Sequence, residues 1–152
     1  MTALESIDFD FFAQSLPEAV EALRTLSRLA ARDFDKGLVE LIKVRTSQIN
    51  GCAYCLQLHL NWARKAGVVQ SKLDRLAVWR EAPDFSAPER AALAWAEALA
   101  APGRHDEVES ARAALDAQFD RGRQMQLTVA IAAINAWNRI AGPLRFAPPA
   151  SQ

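Results

Sequence analysis

An all-α, single-domain fold is what the sequence predicts, and three observations predict it. Helix-start signals recur along the chain, apolar residues follow them at helical spacing, and no segment of strict alternation flanked by hairpin turns appears. Taken in order, Ser15-Leu-Pro-Glu18 matches the S-x-x-E capping box with Pro in the first turn, and Val20, Leu23, Leu26 and Leu29 follow it. Residues Gly37 to Ile49 (GLVELIKVRTSQI) read as a helix running into Asn50-Gly51, two residues that tolerate φ > 0 and end helices. Cys52 then opens a new helix, which Gly67 stops after Arg64-Lys65.

The second half repeats the pattern. Ser71-Lys-Leu-Asp74 is a weaker start, and Pro83 marks a loop. Ser86-Ala-Pro-Glu89 is a second full capping box, followed by Leu93, Ala96 and Leu99. Pro102-Gly103 marks another loop before the weaker start Asp106-Glu-Val-Glu109, with Val108, Ala111, Leu115 and Phe119 behind it. A last helix carries Leu127, Ile131 and Ile134 and stops at Gly142-Pro143. The count is about seven helices: N-terminal helices over 1–35, a core over 36–142 that holds both cysteines, and a Pro-rich tail over 143–152.

A chain of 152 residues, 51% hydrophobic and 24% charged, is long enough for one real core. Eighteen basic residues balance eighteen acidic ones with no basic block, which argues against nucleic acid and anionic membrane surfaces as partners. The N-terminal MTALESIDFDFF lacks the basic and apolar regions of a signal peptide. The longest apolar run, Leu127 to Ile134, is broken by Thr128 and is too short to span a bilayer. A cytoplasmic location is expected, where a CxxC pair is more often catalytic or metal-binding than a permanent disulfide.

Chemistry concentrates in Cys52-Ala-Tyr-Cys55-Leu-Gln-Leu-His59, which holds both cysteines, the single tyrosine and one of two histidines. At about 100° per residue, Cys52, Cys55 and His59 share one helix stripe. At a helix start, unpaired N–H groups and the dipole favour a thiolate on Cys52. Structural zinc would need a fourth ligand, and His105 lies 46 positions beyond His59, outside finger spacing. Two readings stay open on spacing alone: dithiol redox chemistry, or two inert buried thiols. If the Gly37–Ile49 helix and the cysteine helix form an antiparallel hairpin, facing residue numbers sum to roughly 101, so Glu40 lies about half a turn from His59. Glu40 is then either the imidazole's carboxylate partner or a solvated helix-surface acid.

Glu40, Cys52 twelve positions on, Cys55 and His59 together resemble the core motif of the AhpD-like alkylhydroperoxidases, within the carboxymuconolactone decarboxylase superfamily. The surrounding stretches Arg45-Thr-Ser-Gln-Ile-Asn-Gly-Cys52, Ala63-Arg-Lys-Ala-Gly67, Glu89-Arg-Ala-Ala-Leu-Ala-Trp-Ala-Glu97 and Ile134-Asn-Ala-Trp-Asn-Arg139 are similar too, and the resemblance covers roughly residues 36 to 142. It implies an all-helical homo-oligomer, a trimer or hexamer, that reduces small-molecule organic hydroperoxides to alcohols with an external dithiol reductant. It implies Cys55 as the peroxidatic thiol, Cys52 as the resolving one, Glu40 and His59 as a proton relay, and no metal, haem or flavin cofactor. The superfamily's decarboxylases, which act on a muconolactone, generally do not rely on a CxxC pair. One position departs from the family pattern: Tyr54 stands where well-studied members carry a relay histidine, and its ring is expected to pack against a partner subunit. The helix-terminus argument favours Cys52 as the activated thiol, whereas the resemblance, with His59 one turn from Cys55, favours Cys55.

Alternatives from other classes are a non-enzymatic redox-switched helical oligomer, a ligand-binding protein, and a general thiol–disulfide oxidoreductase. The last lacks a βαβ pattern. Elsewhere, His105 reads as a surface residue, Trp62, Trp79, Trp95 and Trp137 as core or interface packing, and Arg45 and Gln48 as local structure. Asn135, Asn138 and Arg139, polar on an apolar helix, belong either near the site or across a subunit interface.

Overall fold

The computed structural model describes residues 5–101 and 103–152. Among them are eight α-helices, one 3₁₀ turn and no strand: α1 (Phe9–Ser15), α2 (Pro17–Ala30), α3 (Lys36–Asn50), α4 (Ala53–Lys65), α5 (Gln70–Asp74), the 3₁₀ turn Leu76–Val78, α6 (Ala87–Ala100), α7 (His105–Asp116) and α8 (Arg121–Ala141). The helix beyond the expected seven is α1. Asp8 caps it through Asp10 N (2.7 Å) and Phe11 N (3.3 Å), and it buries no residue fully, so its sequence carries no core stripe. Pro102, half of an expected loop marker, and Met1 to Leu4 lie outside the described residues.

Helix α3 is the hub, packed against α4, α6 and α8. Every residue from Leu38 to Val44 is buried, so the helix is enclosed on all sides. Leu38 and Ile42 join α6, α7 and α8 in one core cluster, and Leu41 and Val44 join the α4–α6 region in another. Each such aliphatic side chain contributes roughly 1.5–3 kcal/mol by leaving water. The consequence for chemistry is that Glu40 and Lys43, which share that stretch, are buried with their neighbours. Arg45 anchors the far side of α3, its Nε donating to Glu97 Oε1 at 2.9 Å, where Trp79 Nε1 also donates.

Capping decides which expected helix starts hold. Ser86 and Glu89 complete both halves of the capping box on α6. Ser15 does not cap α2: α1 extends through it, and its hydroxyl donates to the Phe11 carbonyl, while α2 begins after Leu16 with Pro at its first position. Ser71 lies inside α5, which follows Val69, and α7 begins at His105 after Arg104, with Asp106 in its first turn rather than at its cap. The stripe on α2 also turns differently than its leucines suggest. Val20 is buried, but Leu26 and Leu29 are 40% and 45% exposed.

The C-terminal segment is laid across the molecule. Phe146 is buried, Asn61 Nδ2 on α4 donates to the Ala150 carbonyl at 2.8 Å, and Gln152 N donates back to Asn61 Oδ1 at 3.0 Å. At the other end Ile7 N donates to the Leu144 carbonyl at 2.9 Å. The two chain ends therefore meet over the start of α4, where Phe9, Phe12 and Phe146 cluster around the cysteines. No helix among the described residues is long and apolar enough to cross a membrane.

Candidate functional site

The site is built on the α3–α4 junction. Gly51, at φ 67°, closes α3: its N–H donates to the Gln48 carbonyl at 3.3 Å, and Cys52 N donates to the Ser47 carbonyl at 3.1 Å. Cys52 is also the cap of α4, its sulfur accepting from Cys55 N at 3.2 Å. One residue thus ends one helix and begins the next. The pair is joined as a Cys52–Cys55 disulfide with a Cα–Cα separation of 5.4 Å. Both cysteines are buried.

The junction is held from behind by α8. Asn50 Nδ2 donates to Asn135 Oδ1 and Asn138 Oδ1, each at 2.9 Å, and Asn138 Nδ2 donates to Ser47 Oγ at 3.1 Å. Arg139 Nη1 donates to Asn135 Oδ1 at 2.7 Å. These α8 polar residues therefore tie the turn within the chain. Gly142, which follows α8, lets the backbone approach: a Cβ there would lie 2.8 Å from the Asn138 carbonyl and 3.8 Å from Cys52 Cβ.

Glu40 and His59 meet as the hairpin arithmetic expects, with Glu40 Oε2 2.6 Å from His59 Nδ1. Burial pushes the His59 pKa down, and neither the Glu40 hydrogen bond nor its charge restores it, so the ring is neutral near pH 7. Its Nδ1–H then donates to the carboxylate, which leaves Nε2 as the free base. For Glu40, burial favours the neutral acid, but the hydrogen bond from His59 and the nearby Lys43 charge outweigh it, and the carboxyl is held below its ordinary range. Lys43 Nζ sits 3.4 Å from Glu40 Oε1 and is itself buried. Sequence reasoning missed Lys43. Its signal was that Leu38, Val39, Leu41, Ile42 and Val44 around it fall on every face of the helix, which marks a helix buried all round.

A cavity of about 400 Å³ opens beside these groups, lined by Cys55, His59 and Lys43. Cys52 is not among its walls. Leu58, Trp62, Ile134 and Trp137 make the wall apolar, and α2 contributes Arg24 and Arg28. Trp62, 43% exposed, sets its edge against the His59 ring at 5.1 Å between centroids. Trp79 and Trp95 are core residues, and His105 is exposed on α7.

Within its own chain Tyr54 is half-buried against the two terminal segments. Its ring stacks on Phe9 at 5.6 Å and meets Phe146 edge-on at 5.5 Å, because both chain ends converge there. Burial pushes the phenol further up from its ordinary value despite nearby Arg24, so it stays protonated at neutral pH.

Comparison with known proteins agrees with this architecture. The chain is 30% identical over 125 residues to the uncharacterized protein YdfG of Bacillus subtilis (strain 168), covering 82% of this chain and 85% of that one. It superposes with a TM-score of 0.86 and 35% identity on a protein of unknown function from Agrobacterium tumefaciens provisionally assigned to antioxidant defence as AhpD, covering 92% and 97% of the two chains. An uncharacterized peroxidase-related protein from Ralstonia eutropha JMP134 with an alkylhydroperoxidase AhpD core follows at a TM-score of 0.78 and 25% identity, over 91% and 75%. The model of the Carboxymuconolactone decarboxylase family matches residues 15–98. That span takes in the whole α3–α4 hairpin and more than half of the chain, and the protein belongs to this family, in its AhpD-like branch.

Proposed function

We propose that the protein is a thiol-dependent peroxidase that reduces organic hydroperoxides to alcohols. The carrying observation is that Cys55, one half of a disulfide, shares a cavity with a neutral, carboxylate-tethered histidine. The same observation favours Cys55 over Cys52 as the attacking sulfur, since only Cys55 lines that cavity.

In the proposed cycle an external dithiol first reduces the disulfide to two thiols. His59 Nε2 takes the Cys55 proton, and the thiolate attacks one peroxide oxygen. The O–O bond breaks as the S–O bond forms, giving a Cys55 sulfenic acid, and the departing alkoxide takes the proton from His59. Cys52 then attacks the sulfenic sulfur, the disulfide re-forms and water leaves. Glu40 holds the imidazole in its productive tautomer, and Lys43 keeps Glu40 ionised. The homo-oligomer is part of the same proposal, supported by exposed apolar side chains on two helices that pack together, Leu26 and Leu29 on α2 and Met125 and Val129 on α8.

The test is steady-state consumption of cumene hydroperoxide with dithiothreitol. Sustained turnover is expected, abolished in Cys55→Ser, with a trappable sulfenic acid on Cys55 in Cys52→Ser. A protein that loses both thiols to one equivalent of peroxide and then consumes no more would be a switch, and the peroxidase reading would fail. A sulfenic acid lost only in Cys52→Ser would reverse the roles of the two sulfurs.

A further inference from the structure

Two of the cavity's three cations, Arg24 and Arg28, have no role in the cycle above. Arg24 and Arg28 stand one turn apart on α2, on the same helix stripe as Ser27 and Ala31, and all four line the cavity. Two like charges at this spacing repel, so α2 gains nothing from the pair by itself. Among the described residues neither arginine forms an ion pair. The Arg24 guanidinium lies over the Phe9 ring at 5.6 Å, and Arg28 donates to Thr25 Oγ1 at 3.2 Å. Glu21, one turn before Arg24, accepts from Thr25 instead. Lys43 adds a third cation from the cavity floor and spends one contact on Glu40, at 3.4 Å, of the three donors an ammonium carries. The rest of the wall is largely aromatic and aliphatic. No carboxylate lines the cavity.

We propose that this cavity is a site for an amphipathic carboxylate, its acid group held by Arg24 and Arg28 and its carbon skeleton laid on Leu58, Trp62 and Trp137. Resting on the peroxidase reading, this makes the substrate class an organic hydroperoxide that carries a carboxylate, such as that of an unsaturated fatty acid. Planar guanidinium groups match the two oxygens of a carboxylate, and a cavity of about 400 Å³ lies within the range that takes a small organic ligand. The peroxide end would then face Cys55 and the charged end the α2 rim.

Binding can be tested apart from turnover. Titration of the oxidised protein with decanoate and with decanol, read by the fluorescence of Trp62 and Trp137, compares one chain length with and without the charge. Decanoate is expected to bind at least about tenfold tighter, the scale of one charge-assisted contact, with added salt weakening decanoate alone. In Arg24→Gln/Arg28→Gln the preference should collapse; both residues are exposed, so the fold is retained and circular dichroism confirms it. Equal affinities, or a preference that survives the double variant, would overturn the proposal. In a second arm, linoleic acid hydroperoxide should exceed its methyl ester in kcat/KM by a similar factor. Turnover of neither, nor of cumene hydroperoxide, alongside decanoate binding as expected, would sink the peroxidase reading and still support the anion site.

Discussion

Glu40 Oε2 and His59 Nδ1 lie 2.6 Å apart across the α3–α4 hairpin, nineteen positions apart in the chain. The bond matters because it fixes the imidazole's tautomer in a place with little water to do so. Glu40 also raises the His59 pKa, although burial wins and the net shift is downward. Glu40→Gln should therefore move the acid limb of the pH–rate profile to still lower pH, while the weakened base cuts the plateau rate by about ten- to a hundredfold. His59→Ala should lose the limb altogether. An unchanged profile in Glu40→Gln would remove the carboxylate from the relay.

Stability should respond to acid through the same pair. Both folded pKa values are depressed relative to the unfolded chain, so the unfolded state binds more protons as pH falls. The stabilisation is fully present above about pH 6.5, begins to fade below it as His59 protonates in the unfolded chain, and fades further below about 4.5 through Glu40. Urea midpoints of the native protein should fall between pH 7 and 4 more steeply than those of Glu40→Gln/His59→Gln. Parallel curves would contradict this.

Lys43 influences both groups with one sign. Its charge lowers the pKa of Glu40 and of His59. Lys43→Met should raise both, and an NMR titration of the His59 ring protons would show the upward shift directly.

Gly142→Ala tests the contact behind the disulfide. Gly142 has an ordinary helical φ of −64°, so the cost would come from space alone. Its Cβ would press on the Asn138 carbonyl, a backbone atom that cannot turn aside, and a loss of about 1–3 kcal/mol is expected. The shift in denaturant midpoint measures it.

Caps separate real from apparent signals. Ser86→Ala should cost about 0.5–2 kcal/mol because both halves of its box are formed. Ser15→Ala should be nearly neutral, since its exposed hydroxyl only bonds back to Phe11. Thermal melts of the two variants suffice.

The same contrast explains what could be read from the chain alone. Ser86 was legible because cap and partner are three residues apart, whereas Ser15 fits the identical motif and fails because α1, which has no core stripe, extends through it. The α3–α4 register was legible from Asn50-Gly51, since a short turn leaves little choice of pairing. Facing numbers sum to 99 for Glu40 and His59 rather than 101, a difference the reach of a glutamate absorbs. Lys43, Arg24, Arg28 and Gly142 were not legible as site residues. Their roles depend on which helices come to lie against α3 and α4, and that is decided by packing between distant segments.

Cys52 gives the site a mechanical property. Its backbone N–H terminates one helix and its sulfur starts the next, so no slack separates the redox centre from its scaffold. Reduction frees the Cys52 sulfur from its partner, and the Cys55 backbone N–H that it accepts from lies on the same helix start. The hinge that would have to move for the sulfurs to drift apart is also the fastening of two helices, which keeps the Cys52 sulfur close to Cys55.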